Sequence, residues 1–361
     1  MNERLVAAGV LIAALVIGSL HTCLNRGVHS QDGVQLNGDM PLELPQFTRL
    51  CFLKKISLFF YSLGRFFFSR PYRGIGMAIQ IQSELSKNVE CANYRTKTVY
   101  FIRHGQSVWN LTFDISRGVF HVLRSTLQLL VVEVCFFFTN DTFLYDSPLS
   151  TNGINQALEF SMHLTNPEST KTNDVKALKK DFAQKVAMFT SNLRRAQSTM
   201  MLALQDRLHH NEETITVLNE LEEATRNPDC VPLSTSLKSS TIPFLEYMML
   251  PDKTKTYSKI LKRSHEDDIS RLSLYEKMLM FNERIFRQPE DIIIVCGHSR
   301  WIMQYLDVFL PQQASDVEFR KRKVGNVDTL RFDVTKKEFK NGESMYMVEP
   351  GSVKLVYKNS V

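Results

Sequence analysis

The sequence contains little of what marks several large classes of protein. Its 15 glycines and 12 prolines among 361 residues are too few for a collagen-like or low-complexity chain. Six cysteines without a CxxC pair do not form a disulfide framework, which favours a reducing compartment. The net charge of +6 is small for this length and gives no sign of nucleic-acid binding. The apolar content of 43% is enough for a sizeable core.

A long apolar run lies near the N-terminus. Residues 5–20 carry no charged side chain, and no polar one before Ser19. A bilayer core about 30 Å thick needs roughly 17 to 25 apolar residues, so this run reaches a spanning length only with residues 21–24. We predict an uncleaved membrane anchor over residues 1–24. A cleaved signal peptide is the alternative, although the residues around Gly18 make a poor cleavage site.

Acidic side chains are missing from residues 44–83, which contain six Lys or Arg residues and seven Phe residues. Cations and aromatic rings in one segment suit the headgroup region of an anionic membrane. Residues 25–95 are therefore predicted to be a basic, aromatic, membrane-proximal linker. A helix packed on the following domain is the equal alternative. We expect a single-pass membrane protein whose main domain, residues 96–340, lies in the cytosol.

From residue 96 onward, β-rich runs alternate with helical stretches. Four runs are apolar without alternation, at 98–102, 186–190, 214–218 and 291–296. Such runs are typical of strands buried on both faces, and their alternation with helices predicts a mainly parallel α/β sheet with helices on both faces. Residues 329–334 are expected to form one more strand, at an edge. Residues 341–361 are assigned to a C-terminal extension, either extended or loose.

Chemically active residues follow these runs directly. Arg103-His104-Gly105 follows the first run, and Gly297-His298-Ser299 follows the last. Since ligands bind at the carboxyl ends of parallel strands, both histidines are expected at one edge of the sheet. Arg194 and Arg195 begin a predicted helix after 186–190, where N–H groups and guanidinium groups together bind anions.

An acidic cluster, residues 220–223, follows the run at 214–218. Two histidines, arginines and a carboxylate at one edge suit phosphoryl transfer through a histidine. The imidazole attacks phosphorus, the arginines neutralise the phosphoryl oxygens, and a carboxylic acid protonates the leaving oxygen.

These motifs resemble those of the histidine phosphatase superfamily, in its phosphoglycerate mutase-like branch, over residues 98–334. The similarity is carried by Arg103-His104-Gly105 with Ser107, Trp109 and Asn110, by Asp146-x-Pro148-Leu149-Ser150 with Gly153, Gln156 and Ala157, by Ser191-x-Leu193-x-Arg195-Ala196, and by Gly297-His298-Ser299. The resemblance implies the phosphoglycerate mutase-like fold, and phosphatase or mutase activity with no metal or other cofactor.

The resemblance also assigns a role to each matched residue. His104 becomes the nucleophile that carries the phosphoryl group, and His298 donates to that group. The phosphate pocket is formed by Arg103, Arg195 and Asn110. The acid lies in the acidic cluster, where Val-Leu-x-Glu-Leu-x-Glu is the longer match and favours Glu223, with Glu220 as the alternative.

Three further residues in or next to these motifs are expected to have no catalytic role. Arg194 lies outside the motif spacing and is predicted to be a solvated helix residue. Asp146 and Ser150 are close enough in the motif to touch substrate, but a structural role is favoured for both, and Ser150 is predicted to be a helix N-cap.

The chain departs from the family pattern at two places. Residues 111–145 form an insertion rich in Phe and Val, predicted to be a buried helix that covers the site, with a lid or a second membrane contact as alternatives. After the acidic cluster, Ala224-Thr-Arg-Asn-Pro228 replaces the Tyr-Gly and Gly-rich loop of true mutases. We therefore expect a membrane-bound phosphatase acting on a phosphorylated small molecule or phosphoprotein, without nucleic acid. A mutase-like phosphotransferase and a weakly active binder of phosphorylated ligands are the alternatives.

Overall fold

The computed structural model describes residues 44–85, 91–136, 141–166, 173–211, 213–233, 260–263, 269, 272–314 and 317–359. The predicted anchor at residues 1–24 lies outside these residues. Among the helices of the described part, none combines the length and the apolarity that a membrane crossing needs.

Within the described part of the chain, eight strands form one sheet. They are β1 (Cys91–Arg103), β2 (Ala187–Ser191), β3 (Ile215–Leu218), β4 (Leu261–Arg263), β5 (Ile292–Gly297), β6 (Thr329–Phe339), β7 (Ser344–Val348) and β8 (Lys354–Tyr357). The order is β4-β3-β2-β5-β1-β6-β7, and β8 also pairs with β6. The strands from β4 to β1 are parallel, and those from β6 to β8 are antiparallel. The predicted, mainly parallel sheet is therefore confirmed.

The described helices are α1 (Leu44–Phe68), α2 (Ile75–Leu85), α3 (Val108–Thr112), α4 (Val119–Cys135), α5 (Thr151–Thr165), α6 (Arg194–Ala203), α7 (Gln205–Asn211), α8 (Leu274–Arg287) and α9 (Ser299–Phe309). Their start points follow the sequence. The Ser150 hydroxyl accepts from the Gly153 N–H at the start of α5, as predicted. At the start of α8, Ser273 and Glu276 form a capping box.

Apolar cores lie on both faces of the sheet, because alternate residues of the central strands point in opposite directions. In β1, Val99 and Phe101 join the core that α2, α8 and α9 cover. Tyr100 and Ile102 of the same strand join the core that α5 and α6 cover. The central strands are thus buried on both faces, and their carboxyl ends are left as the place where a ligand can approach.

Strand β6 is not at an edge of the sheet, contrary to the prediction. One side of β6 pairs with β1, and the other side pairs with β7 and β8. Both of these strands come from the C-terminal extension at 341–361, which is extended rather than loose. The expectation of an edge was wrong because the partners of β6 follow it in the chain and carry weak strand signals.

The N-terminal helices both pack and expose apolar surface. In α2, Ile75 and Ala78 are buried in the core beneath α9. In α1, Ser62 is buried, whereas a row of aromatic and aliphatic side chains is exposed: Phe59, Phe60, Tyr61, Leu63, Phe66, Phe67 and Phe68. Residues 44–85 therefore combine features of both alternatives considered from the sequence.

Helix α4 in the insertion is not buried, which corrects the prediction. Two of its polar side chains face inward: His121 Nε2 contacts the Leu111 carbonyl (3.0 Å), and Glu133 accepts from the Thr142 hydroxyl (2.8 Å). Leu129 is buried, but most of the apolar side chains are exposed: Val119, Phe120, Leu123, Leu127, Leu130, Val131 and Val134. Apolarity alone predicted burial, but the hydrogen bonds of the inner side chains fix the opposite orientation.

Candidate active site

The candidate site lies where four parallel strands end. His104 follows β1, Arg195 lies in the first turn of α6 after β2, Glu223 follows β3, and His298 follows β5. Since β2, β5 and β1 are neighbours in the sheet, their ends converge. The His104 and His298 rings are buried, with their centroids 5.0 Å apart. The structure thus brings together residues that are up to 194 positions apart in the sequence.

Hydrogen bonding fixes the tautomer of His104. Its Nδ1 lies 2.7 Å from the Gly105 carbonyl oxygen. Because a carbonyl can only accept, Nδ1 carries the proton, and Nε2 of the neutral ring keeps its lone pair. Burial, together with the charges of Arg195, His298 and Arg103, lowers the pKa of His104 well below its usual value. The ring is therefore neutral at neutral pH and can act as a nucleophile.

The second motif supports the loop that carries His104. The Gln106 N–H donates to Gln156 Oε1 (2.9 Å), and the Ser150 N–H donates to the Gln106 carbonyl (2.8 Å). The start of α5 lies so close to this loop that a Cβ on Gly153 would lie 2.1 Å from the Gln106 carbonyl oxygen. This explains why glycine and glutamine are needed at these positions of α5.

Three buried nitrogen atoms of the site have no hydrogen-bond partner among the described residues: Arg103 Nε, Arg195 Nε and His298 Nδ1. The three residues that carry these atoms all lower the pKa of His104. Leaving a buried polar group unpaired costs about 1–3 kcal/mol, so folded proteins usually avoid it. Three such atoms around one histidine indicate a pocket that holds a hydrogen-bond acceptor, and the arginine charges favour an anion.

The remaining contacts of these residues hold them in place. Arg195 is fully buried and donates to Glu223 Oε2 (2.8 Å) and to the Asp229 carbonyl (2.8 Å). Arg103 donates to the Val324 carbonyl (2.7 Å). His298 Nε2 lies 2.8 Å from Ser191 Oγ. Each side chain is thus held by hydrogen bonds of some of its nitrogen atoms and presents its unpaired nitrogen to the pocket.

Of the two candidate acids, the structure brings Glu223 to the site. Its Oε2 lies 3.6 Å from His298 Nδ1 and 2.8 Å from Arg195 Nη2. Burial would raise the pKa of Glu223, but its interactions with Arg195, His104 and Arg103 lower it overall. Glu220 instead accepts from Arg284 Nε (2.8 Å), and its carbonyl accepts from the Trp301 indole (2.9 Å), so it belongs to the scaffold.

Asp229 is a site residue that sequence reasoning missed. Its Oδ2 lies 3.5 Å from Arg195 Nη2, and burial raises its pKa to about 6. The sequence carries no signal for it, since it follows Pro228 in a segment without helix or strand periodicity.

Asn110 lies at the exposed end of the first motif. Its side-chain oxygen accepts from the Ser107 hydroxyl (2.6 Å), and its N–H donates to the same oxygen of Ser107 (3.1 Å). These bonds form the N-cap of α3. Its role as a phosphate donor stays a prediction.

Arg194 is fully buried, which corrects the prediction of a solvated residue. Its guanidinium donates to Asp141 Oδ1 (2.6 Å) and to the carbonyls of Thr142 and Asp146, and its N–H donates to Asp146 Oδ1 (2.8 Å). It therefore ties the end of the insertion to the start of α6. Asp146, at φ 45°, serves the same structural purpose.

Two histidines and a carboxylate could also hold a divalent metal ion. The ligand atoms of His104, Glu223 and His298 lie within 4.8 Å of one another. A cation there would face the buried guanidinium groups of Arg103 and Arg195, and Glu223 is already paired with Arg195. The charge balance therefore favours an anion over a metal ion.

No protein-family model matches the chain, and no curated protein matches it. Solved structures match at probability 1.00. A phosphoserine phosphatase from Entamoeba histolytica, in complex with phosphoserine, has 14% identity and covers 73% of this chain and 96% of its own, with a TM-score of 0.32. An ecdysone phosphate phosphatase from Bombix mori, in complex with tungstate, has the same identity and coverage and a TM-score of 0.37.

A mycobacterial glucosyl-3-phosphoglycerate phosphatase, in complex with VO3, has 12% identity and covers 70% of this chain and 97% of its own, with a TM-score of 0.32. All three of these proteins are phosphatases. At TM-scores this low, the matches carry no argument about the reaction of this chain. That argument depends on the motifs and on the geometry of the site.

Proposed function

We propose that the chain is a phosphatase of the histidine phosphatase type that hydrolyses a phosphomonoester through a phosphohistidine at His104. The observation that carries the proposal is the set of three unpaired buried nitrogens around a neutral histidine. These nitrogens belong to Arg103, Arg195 and His298, and they would bind the phosphoryl oxygens, where negative charge accumulates in the transition state.

In the first step, the lone pair on His104 Nε2 attacks phosphorus while the bond to the leaving oxygen breaks. Glu223 gives its proton to that oxygen, so the alcohol leaves neutral. In the second step, water attacks the phosphohistidine, Glu223 takes the proton of the water, and the P–N bond breaks. Inorganic phosphate and the starting form of His104 result.

The protonation of Glu223 follows from its neighbours. In the free site, Arg195, His104 and Arg103 lower the pKa of Glu223 despite its burial. A bound phosphate dianion would share the arginines and add negative charge nearby, and both effects raise that pKa. Substrate binding thereby favours the protonated acid that the first step needs.

The test is a phosphate-release assay on the full chain with an aryl phosphate. His104→Ala should abolish turnover and prevent 32P labelling of the protein, and the label on the wild type should be acid-labile. Glu223→Gln should slow turnover most with an alkyl phosphate, a poor leaving group, whereas the matched Glu220→Gln should not. We also expect EDTA to leave the activity unchanged. Full activity in His104→Ala would refute the proposal.

We further propose that the protein works at the surface of an anionic membrane. The exposed apolar residues of α1 and α4 form its docking surface, named here the apolar surface. Lys55 Nζ of α1 donates to the Phe136 carbonyl at the end of α4, which joins the two helices. No acidic residue occurs between 44 and 83, and Lys54 of α1 is exposed, so the charge complements an anionic leaflet.

A further inference from the structure

A cleft of about 560 Å³ opens beside Glu223. Its walls come from the end of α1 and the turn after it, from the loop that carries Glu223, and from the start of α8. Its charged residues are Arg65, Arg70, Arg73, Lys277, Glu222, Glu223 and Glu276. Glu223 is the residue of the proposed site that lines this cleft, so the leaving group that it protonates would extend into the cleft.

Four basic and three acidic side chains line the cleft, an excess of one positive charge. Glu276 accepts from the N–H and the hydroxyl of Ser273 at the start of α8. Glu222 is shared by Arg65 (2.9 Å) and Lys277 (3.4 Å), so its charge is neutralised. Arg70 and Arg73 are exposed, and among the described residues neither forms an ion pair. Two guanidinium groups are thus available beside the acid of the proposed reaction.

Both arginines are held close to Glu223 through Arg65. The Arg65 guanidinium donates to Glu222 Oε1 (2.9 Å) and to the carbonyls of Cys230 (3.2 Å) and Thr225 (3.3 Å). These three acceptors belong to the loop that carries Glu223. The end of α1 is therefore fixed on that loop, and the turn at 70–73 follows it directly.

A second contact holds the same turn from the other side. Arg300, in the first turn of α9 next to His298, donates to the Tyr72 hydroxyl (3.2 Å). The charge of Arg300 also acts on Glu223. Arg300 thus adds a third cation near the rim, and its bond to Tyr72 positions the turn that carries Arg70 and Arg73.

We propose that this cleft is a second anion subsite, which selects phosphomonoesters whose leaving group carries a further phosphate or carboxylate. The proposal rests on the proposed phosphatase reaction, because that reaction places the leaving group beside Glu223. Arg70 and Arg73 are the specificity-determining residues, and Arg65 and Tyr72 are positioning residues. A soluble bisphosphate and a phosphorylated lipid headgroup share the required chemistry.

The test compares butane-1,4-diol monophosphate with the corresponding bisphosphate. After correction for its two equivalent phosphates, the bisphosphate should have a kcat/KM roughly 5- to 10-fold higher in the wild type, as expected for two partly exposed ion pairs. In R70A/R73A this ratio should fall to about one. Lys54→Ala removes an exposed cation of α1 that lies outside the cleft, so it should keep the wild-type ratio.

Two outcomes would overturn the subsite while leaving the proposed function intact: a wild-type ratio of about one, or an unchanged ratio in the double variant. If the wild type hydrolyses neither compound, the proposed function fails, and calorimetry decides the subsite separately. The full chain should then bind the bisphosphate more tightly than the monophosphate, and R70A/R73A should lose the difference. Equal affinities would refute the subsite.

A further arm separates the two sources of the second anion. A phosphoinositide bisphosphate in vesicles is compared with its water-soluble headgroup, in the wild type and in R70A/R73A. A lipid substrate predicts faster release of phosphate from the vesicles, whereas a soluble substrate predicts faster release from the headgroup. In either case the double variant should lose the advantage, and its failure to do so would contradict the subsite.

Discussion

Asp229 allows a direct test of the electrostatics of the candidate site. The side chain of Asp229 is 5% exposed, and its Oδ2 lies 3.5 Å from Arg195 Nη2. Burial raises the pKa of Asp229 from 3.8 to about 6, since the cost of desolvation and the charge of Glu223 outweigh the attraction of Arg195. The ionised carboxylate therefore costs the folded state free energy at neutral pH.

The magnitude follows from the two pKa values. At about 1.4 kcal/mol per pKa unit, the rise from 3.8 to about 6 corresponds to about 3 kcal/mol. The folded protein holds the proton more tightly than the unfolded chain. The stabilisation by this proton is thus complete below the unfolded pKa of 3.8, falls as the pH rises, and is lost above the folded pKa of about 6.

Asp229→Asn removes the titrating group and keeps its shape. The free energy of unfolding of the variant, minus that of the wild type, should increase by about 2 kcal/mol between about pH 4 and pH 7. Denaturant titrations at several pH values measure this difference, in which other titrating groups cancel. The control is Asp291→Asn, whose side chain is 88% exposed and whose difference should change little. A flat difference for Asp229→Asn would refute the reasoning.

Two further predictions concern the insertion. Arg194→Met should lower the free energy of unfolding by about 3–5 kcal/mol, because it leaves the Asp141 carboxylate and the carbonyls of Thr142 and Asp146 without their buried donor. The exposed Arg287→Met should cost less than about 1 kcal/mol. Equal losses in denaturant titrations would contradict the structural role. The second prediction concerns membrane contact in anionic vesicles that contain brominated lipid. The fluorescence of the tryptophan in Leu127→Trp, on the apolar surface, should be quenched by this lipid, and that of Met162→Trp, on α5, should not. Equal quenching of both would argue against the docking surface.

The sheet could be predicted because its signals are local. Runs such as 98–102 and 291–296 are continuously apolar, and buried parallel strands need that pattern. The residues that follow the runs then had to meet at one edge, which placed His104 and His298 together. The strands of the C-terminal extension and β4 were harder to predict, since short strands leave almost no periodicity.

The predictions that were wrong or missing have a common physical cause. In each case the position of the side chain depends on partners that are distant in the sequence. Arg194 is buried because Asp141 and Asp146 accept its hydrogen bonds, 53 and 48 positions away. Asp229 enters the site through Arg195, and the pattern of its own segment gives no indication of that contact. Helix α4 is apolar enough to suggest burial, but its orientation depends on what Glu133 and His121 contact.

Helix α1 packs on the folded domain and is not merely a linker. Three acceptors of Arg65 lie within residues 222–230, the segment that also carries Glu223 and Asp229. Helix α2 adds Ile75 and Ala78 to the core. A chain beginning at residue 96 would lose these contacts and expose the core beneath α9. The folded unit that supports the acid therefore includes α1, and contact of its outer face with lipid would place the cleft at the membrane surface.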